Sequence, residues 1–567
     1  MAENKAEKKK PGIVRRIFKW FGLGLLVLLL IAALIFQAPW KVITLLLIIL
    51  LACTILPRPA RKWFWLSAAA VIIALIIWVF LPDDNEGWRP YTFDKELAAI
   101  EAARSIPDSE NAATIYNELL LDDRKYEEPP EDEIIAELKE KGEISVSLDD
   151  VNEWLANRSY STFYPEFWNE ELEDLTRYEP WKSQEYPQVV VWLKERKYII
   201  EKLLEASKLE KCRFPIAADP WSLGQSTKQL APMRRWAMLL IRATNNDLGD
   251  ERNNQAIEKN LAILQMAKHQ YQHPMTVDLL VAMAIEAFAT KQFNKFVVTS
   301  NATEEYLSVI EKALVEIEHD WGSDWPNILD IEKLHSKNTF CMLAYQINPK
   351  GKIRLSRGLT GVFKTQFPED MPPPTYWHRK LTKACTILVW FFVPSTPQKA
   401  AKIIEESVEK YYAMADSDFD WKKESREFPI TSLFRFKFNY RFMVQSLANM
   451  LEEPYYKIHD LYLRTMAEQR GSQLIIALRR YKNKNGNWPE SLEDIKSIAP
   501  EEVFVDPFNN GSFVYKLTDD SFKLYSKGKN NIDEDGKYRR GRDDWPIWPG
   551  PGRSRKTQEE NANAEQQ

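Results

Sequence analysis

The sequence predicts a mainly α-helical protein with three membrane-spanning helices at its N-terminus, a long helical body and a small α+β domain at its C-terminus. Three apolar stretches occupy residues 20–36, 42–56 and 63–81. Apolar residues then recur at helical spacing between Val189 and His273. Near the C-terminus an amphipathic helix is followed by two short strand patterns. Short strands are therefore expected in the last part of the chain.

Each apolar stretch has the composition of a transmembrane helix. The hydrocarbon core of a bilayer is about 30 Å thick and takes about 20 apolar residues, so the middle stretch is short. Pro39 and the Pro57-Arg58-Pro59 segment interrupt the apolar character where turns are needed. Trp residues lie toward the stretch ends, as indole rings do at membrane interfaces. Residues 20–81 are therefore predicted to cross a membrane three times, which makes the lipid bilayer a partner.

Basic residues predict the orientation of these spans. Residues 1–19 hold seven Lys or Arg, and the turn between spans two and three holds three more, whereas the first turn holds only Lys41. Basic residues favour the cytoplasmic side, so residues 1–19 form a basic cytoplasmic tail and the chain from Asp83 lies outside the cytoplasm. The expected location is the bacterial inner membrane, as a multi-pass protein. A re-entrant middle stretch is the alternative and would keep the large C-terminal region inside.

The charge distribution argues against nucleic acid as a partner. Eleven Lys or Arg and two Glu give residues 1–82 a charge of +9, so the remainder carries −14 if the 567-residue chain is −5 overall. An acidic region lacks the basic stripe that a phosphate backbone requires. Beyond the apolar stretches stand Cys212, Cys341 and Cys385, too few for a disulfide framework. One disulfide pair is the alternative, and buried free thiols are the favoured interpretation.

Residues 83–455 are predicted to form an exported helical body. Between Val189 and His273 the pattern indicates antiparallel helices separated at Gly249, and helices continue over 277–297 and 304–318. Paired helices of this size resemble a repeat layer of the tetratricopeptide kind in architecture only. No second copy of a defined consensus recurs at a fixed period. A repeat-like body therefore remains one possibility among helical arrangements.

The body carries no familiar catalytic signature. Its sequence has no phosphate-binding Gly-rich loop, no zinc-protease helix motif, no nucleophile elbow and no Cys pair at metal spacing. His269 and His273 stand four residues apart and could share a metal on one helix face. Pro274 disfavours helical geometry at His273, so two unrelated histidines are the favoured interpretation. No catalytic or cofactor-binding residue is assigned, and the sequence favours a non-enzyme.

The C-terminal part has a different pattern from the helical body. An amphipathic helix is predicted from Tyr462 to Tyr481, ended by Asn485-Gly486 and Pro489. Strands are expected over 511–516 and 521–525, and an acidic loop closes the pattern at Asp543-Asp544. A helix followed by a small hairpin sheet is expected to cover one face of that sheet.

This part resembles the globular domain of the major pseudopilins of type II secretion systems. The resemblance covers about residues 460–548 and assigns a pseudopilin-like domain to 456–549. Its motifs, in chain order, are Tyr481 with Asn485-Gly486-Asn487-Trp488-Pro489, Asp506-Pro507-Phe508-Asn509-Asn510-Gly511, Tyr515, Tyr525-Ser526-Lys527-Gly528 and Asp543-Asp544. In that family the acidic loop binds calcium. The matching positions here are Asp533, Asp535, Asp543 and Asp544, with Ser526 and Asn531 as weaker matches.

The loop residues themselves also suggest a calcium site. Asn531, Asp533, Asp535 and Gly536 follow the alternating oxygen pattern of a calcium loop. The twelfth position is Arg542 and lacks the bidentate acid of an EF-hand. Lys and Arg residues also neutralise much of the loop, so a self-paired, solvated acidic turn is the alternative to calcium binding.

The chain departs from a pilus subunit in its overall organisation. A pseudopilin begins with a cleavable leader and one apolar helix, whereas here the resembling part follows hundreds of helical residues. We therefore expect a membrane-anchored interaction or scaffold protein of the cell envelope that binds another envelope protein. The alternative is an exported, membrane-anchored hydrolase whose site is built from scattered acidic and aromatic residues. Residues 550–567 are polar and predict a disordered tail.

Overall fold

The computed structural model describes residues 27, 40–54, 56–80, 87–127, 170–216, 228–317, 319–355, 396–415, 452–539 and 542–550. The predicted basic tail at 1–19 and the polar tail after Gly550 lie outside these residues, as does Cys385. The chain divides into two compact units. The first comprises residues up to 96, 218–221 and 333–453, and the second comprises 97–217, 222–332 and the chain from 454.

Helices dominate the described residues, as predicted. They are α1 Trp40–Thr54, α2 Arg58–Phe80, α3 Asp94–Ala103, α4 Ala112–Glu127, α5 Glu170–Tyr178, α6 Pro187–Glu195, α7 Lys197–Ala206, α8 Leu230–Gly249, α9 Asn253–Tyr271, α10 Thr276–Thr299, α11 Glu304–Val315, α12 Trp321–Ala344, α13 Pro397–Tyr412 and α14 Glu452–Asn485. The strands are β1 Arg89–Pro90, β2 Tyr345–Ile347, β3 Ile353–Leu355, β4 Val514–Leu517, β5 Phe522–Ser526, β6 Tyr538–Arg539, β7 Arg542–Asp543 and β8 Trp545–Trp548. The mainly helical assignment is confirmed.

The predicted membrane topology is not supported. Helix α1 has 15 residues, a length of about 22 Å, which falls short of the hydrocarbon core. Helix α2 is longer but begins with Arg58, Arg61 and Lys62. Among the described residues, no helix combines the length and the apolar character that crossing a membrane requires. The predictions of three transmembrane helices and of a multi-pass protein of the bacterial inner membrane are therefore wrong; most of the stretch 20–36 lies outside the described residues.

The first unit contains a small antiparallel sheet with strand order β1-β2-β3. Tyr345 of β2 is buried with Cys341, Ala344 and Ala400 in a small apolar core. Helix α13 begins where the Thr396 hydroxyl accepts a hydrogen bond from the Lys399 amide. The free thiol of Cys341 is buried here, and burial raises its pKa to about 12.

Helices α8, α9 and α10 of the second unit are joined by short turns and pack along their lengths. Helix α8 ends at Gly249, where a Cβ atom would stand 2.1 Å from the Trp181 carbonyl oxygen, so only glycine allows the close approach. Helix α9 ends at Tyr271, and residues 272–275 turn the chain back into α10. The predicted helix break at Gly249 and the non-helical position of His273 before Pro274 are both present.

The C-terminal sheet packs on the long helix α14. The strand order is β4-β5-β8, all antiparallel, and Leu517 pairs with Phe522 beside the predicted Thr518–Asp520 turn. Ile547 of β8 lies over Gly471 of α14. Gly486 ends the helix at φ 86°, a left-handed conformation that favours glycine. One continuous apolar core contains Trp236 of α8, Leu474 of α14 and Phe522 of β5, while the predicted domain boundary at 455/456 stays a prediction.

Candidate functional site

The predicted acidic loop connects β5 to β8 in the second unit. It makes two tight turns, with positive φ values of 61° at Gly528, 57° at Asn531, 64° at Asp535 and 73° at Gly536. Asn, Asp and Gly tolerate this left-handed region better than other residues. The alternating Asn, Asp and Gly pattern that suggested a calcium loop therefore also has a backbone role, and Asn531 serves the turn.

Asp544 is the most buried of the four predicted ligands, with no exposed surface. Its Oδ2 accepts hydrogen bonds from the backbone amides of Glu534 and Gly536, both at 2.8 Å. Its Oδ1 is buried without a hydrogen-bond partner. Burial raises the pKa of Asp544, and the nearby charges of Glu534 and Asp533 raise it further. A cation near Oδ1 would offset the cost of burying the carboxylate and its repulsion from Glu534 and Asp533.

Asp543, the last residue of β7, is anchored in a similar way. Its Oδ2 accepts from the backbone amides of Lys529 at 2.9 Å and Asn530 at 3.1 Å. Its Oδ1 is buried and unpartnered, and its own amide donates to Glu534 Oε2 at 2.7 Å. A Cβ at residue 528 would stand 2.3 Å from the Asp543 carbonyl oxygen, which requires Gly528. Asp543 therefore fixes the turn after β5.

Asp533 and Asp535 are engaged by side chains of the sheet instead. The Lys516 ammonium lies 3.2 Å from a carboxylate oxygen of each. The Tyr525 hydroxyl donates to Asp533 at 2.7 Å and, together with Lys516, lowers the pKa of Asp533. The hydrogen bond from Lys516 and the charge of Lys523 lower the pKa of Asp535. Both carboxylates are thus stabilised in their charged form without a metal.

The four predicted ligands do not converge on one point. Within the part of the chain that the structure describes, no three acidic, His or Cys side chains are arranged to hold a metal ion. The weaker match Ser526 is buried, and its hydroxyl donates to Asp506 Oδ2 at 2.7 Å and accepts from the Gly528 amide at 2.9 Å. Ser526 therefore stabilises the start of the loop by hydrogen bonds to Asp506 and Gly528.

A buried polar cluster that the sequence did not suggest lies among helices α9, α10, α12 and α14. Glu286 accepts a hydrogen bond from the Tyr271 hydroxyl at 2.6 Å and lies 2.9 Å from His319 Nε2. On the adjoining side, the Tyr462 hydroxyl donates to Asp324 Oδ2 at 3.0 Å. The aromatic rings around this cluster include Trp321, which stacks on Trp325 at 4.7 Å and meets Tyr462 edge to face at 4.9 Å.

This cluster contains the two carboxylates and aromatic walls that the hydrolase hypothesis requires. However, the side chains of His319 and Glu286 are only 3% and 2% exposed. Burial by itself lowers the pKa of His319. The charge of Glu286 and its hydrogen bond raise the pKa by more, so the pKa of His319 lies above its usual value. A substrate has no access to this pair in the described conformation, so the cluster joins helices. Its members are far apart in sequence, and no spacing pattern could have revealed them.

The two histidines considered as metal ligands have separate partners. His269 Nδ1 lies 2.9 Å from the Tyr116 hydroxyl, and its Nε2 lies 2.8 Å from the Leu209 carbonyl oxygen. His273 Nδ1 lies 2.8 Å from Asp278 Oδ2, and both side chains are fully buried. Hydrogen bonds hold the His269 ring, whereas the His273 ring lies beside Asp278 without a well-aligned hydrogen bond at either nitrogen. The two rings have different neighbours.

No family model, no curated protein and no solved structure matches this chain. The resemblance to pseudopilin globular domains therefore rests on the motifs within residues 460–548 alone.

Proposed function

We propose that this chain is a helical scaffold protein whose C-terminal sheet presents a calcium-ordered loop to a protein partner. The observation that carries the proposal is the carboxylate of Asp544, which is fully buried with Oδ1 unpartnered. Two backbone amides bind Oδ2, but a buried charge without a counter-ion still costs roughly several kcal/mol unless an ion compensates it or the group takes up a proton. The resemblance to the pseudopilin domain supports calcium as that ion.

The donor chemistry of the loop suits calcium. Calcium binds six to eight oxygen ligands from carboxylates, backbone carbonyls and water. Asp543 and Asp544 each have an unpartnered buried oxygen, and Glu534 and Asp533 lie close enough to raise the pKa of Asp544. Among the described residues no three of these side chains are arranged to hold a metal, so the loop would have to close around the ion. These four residues would then hold it, and the ion would neutralise the loop and fix its shape. Asp533 would have to exchange its ion pair with Lys516 for the metal.

The loop exposes apolar side chains that suit a docking role. Ile532 is 60% exposed and Tyr538 is 47% exposed, so both side chains are accessible to a partner. Both residues belong to the segment whose turns Asp543 and Asp544 hold together. A calcium ion bound between these acids would therefore set the surface that a partner meets.

The scaffold part of the proposal is supported by how the second unit is built. Most of its helices share one apolar core with the C-terminal sheet, and the His319–Glu286 cluster is closed to a substrate. A rigid helical support beneath an adjustable loop is an arrangement that suits binding.

Calcium titration of the full chain tests the proposal. A ligand at 100 times its Kd stabilises the folded state by about 2.7 kcal/mol, so calcium should raise the melting temperature by several degrees. Asp544→Asn keeps the size of the side chain and should abolish the rise. Asp519→Asn, in the exposed turn between β4 and β5, is the matched control and should keep it.

Two results would contradict the proposal. One is a wild-type chain whose melting temperature is unchanged by millimolar calcium and equally unchanged by a chelator. The other is a calcium-dependent rise that survives in both Asp543→Asn and Asp544→Asn. For the docking role, Ile532→Asp should weaken any calcium-dependent partner binding while leaving the calcium response intact.

A further inference from the structure

A second surface of the C-terminal domain forms a cleft of about 540 Å³ between α14 and the hairpin β6–β7. Four cations line it, and only Asp460 and Asp543 line it as acids. The cations are Arg464, Lys529, Arg539 and Arg542. Because the chain as a whole is acidic, this local excess of positive charge stands out from its surroundings.

Three of the four cations have no ion pair. Lys529 pairs with Asp460. For Arg464, Arg539 and Arg542, no carboxylate among the described residues lies within ion-pair distance. Asp460, Asp543 and the nearby Glu468 offset part of this positive charge. The cations that remain in excess repel each other, and an anion in the cleft would reduce that repulsion.

Aromatic rings complete the cleft. The Arg464 guanidinium lies 4.7 Å from the ring centres of both Tyr538 and Trp545 and donates to the Tyr538 hydroxyl at 2.5 Å. The two rings meet edge to face at 5.0 Å. The Trp545 indole donates to Glu468 Oε1 at 3.2 Å, which fixes it from the side of α14. Arg464 is therefore pre-positioned by its ring contacts, and it forms no ion pair within the described residues although the charge of Glu468 acts on it.

We propose that this cleft binds a short acidic saccharide that carries one or two carboxylate or sulfate groups. A planar guanidinium fork matches the oxygens of either anion, and the partly exposed Tyr538 ring offers a face for a sugar ring. The volume suits a disaccharide, since ligand pockets occupy about 300–1,000 Å³. A long polyanion is disfavoured by the net charge of −5 on the whole chain.

This proposal does not depend on calcium. The cationic and aromatic groups come from α14, the turn after β5, the hairpin β6–β7 and β8. Asp543 also lines the cleft, and its Oδ2 accepts hydrogen bonds from two backbone amides. Binding measured with and without a chelator separates the two proposals, because failure of the calcium site leaves the cationic cleft in place.

Calorimetric titration of the full chain with defined probes tests the proposal. The probes are a sulfated chondroitin disaccharide, digalacturonate, neutral lactose and inorganic sulfate. We expect at least one acidic disaccharide to bind, lactose not to bind, and sulfate to bind at least tenfold more weakly. Comparing the first two probes tells sulfate recognition from carboxylate recognition. Binding should weaken as salt is raised, because exposed guanidiniums are screened.

Arg539→Gln and Arg542→Gln, singly and together, should weaken binding of the acidic disaccharide at least tenfold in the double variant. Lys523→Gln, which removes a cation of β5 outside the cleft, is the matched control and should bind like the wild type. Tyr538→Ala should weaken the disaccharide several-fold more than it weakens inorganic sulfate. Melting curves establish that each variant is folded, and Arg539 is exposed, so its substitution is the safest.

Three outcomes would overturn the proposal. These are no binding of either acidic disaccharide to the folded wild type, equal affinity for inorganic sulfate and the disaccharides, or disaccharide binding that the double Arg variant leaves unchanged.

Discussion

The imidazole Nε2 of His319 lies 2.9 Å from the carboxylate of Glu286, and both side chains are almost entirely excluded from water. Glu286 also accepts a hydrogen bond from Tyr271 of α9. The pair therefore links the segment before α12 to α9 and α10. A buried ion pair contributes stability only while both partners are charged, and this link consequently depends on pH.

The His319–Glu286 pair should weaken at alkaline pH. The pKa of His319 in the folded state is raised above its unfolded value of about 6.5. Its contribution to stability is then fully present below about pH 6.5 and is lost as the pH rises through the folded pKa. Melting temperatures of the full chain between pH 5.5 and 9 should fall more steeply in the wild type than in His319→Gln.

The matched control for this measurement is Tyr271→Phe, which removes one hydrogen bond to Glu286 but leaves the ion pair. It should lower stability and keep the pH dependence. Equal pH slopes for the wild type and His319→Gln would mean that the pair does not contribute as an ion pair.

His269 should behave in the opposite way. Burial lowers its pKa to about 4, although the hydrogen bond with the Leu209 carbonyl opposes the shift. A depressed folded pKa means that stability is present above the unfolded value of about 6.5 and is lost as the pH falls toward 4. Nuclear magnetic resonance of the histidine rings should show His269 neutral at pH 5.5, and an imidazolium signal assigned to it there would contradict the neutral buried ring.

Gly471→Ala should destabilise the protein although alanine favours helices. Replacing glycine by alanine inside a helix stabilises the helix by about 1 kcal/mol. However, the new Cβ would stand 2.5 Å from Ile547 Cδ1, and Ile547 is buried in the core between α14 and β8. We expect a net loss of about 1–3 kcal/mol in denaturant unfolding, typical of overpacking.

A double-mutant cycle with Ile547→Val tests that cause. The smaller valine removes the Cδ1 methyl that the alanine meets, so Gly471→Ala should cost less in the Ile547→Val background than in the wild type. If the two changes were additive, the destabilisation by Gly471→Ala would not come from contact with the Ile547 Cδ1 methyl.

Lys516→Gln should tighten calcium binding if the loop binds calcium as proposed. The Lys516 ammonium lies 3.2 Å from Asp533 and from Asp535, and it competes with a metal for Asp533. Its removal should lower the Kd for calcium several-fold in a calorimetric titration, while the calcium-free protein becomes slightly less stable. Lys523→Gln, 3.6 Å from Asp535, is the control and should change the Kd less. A higher or unchanged Kd for calcium in Lys516→Gln would argue that Asp533 is not a calcium ligand.

Much of the helical architecture could be predicted because its signals are local. Gly249 ends a helix, Pro274 keeps His273 out of one, and Thr518–Asp520 turns a hairpin, since each acts on the backbone within a few residues. The membrane prediction failed because composition alone was used to infer a spanning helix. An apolar stretch shows that side chains avoid water, but it does not by itself make a helix long and apolar enough to cross a bilayer.

The candidate sites also combine features that are local in the sequence with features that depend on tertiary packing. The sequence alone determined that acids gather in the loop before β8, because they are neighbours along the chain. Only the tertiary structure decided that Asp544 is fully buried while Lys516 engages Asp533 and Asp535. It also brought Glu286 to His319 and set Arg464 opposite the hairpin β6–β7. Burial and ion pairing depend on residues distant in sequence, and these contacts form only when the helices and the sheet pack together.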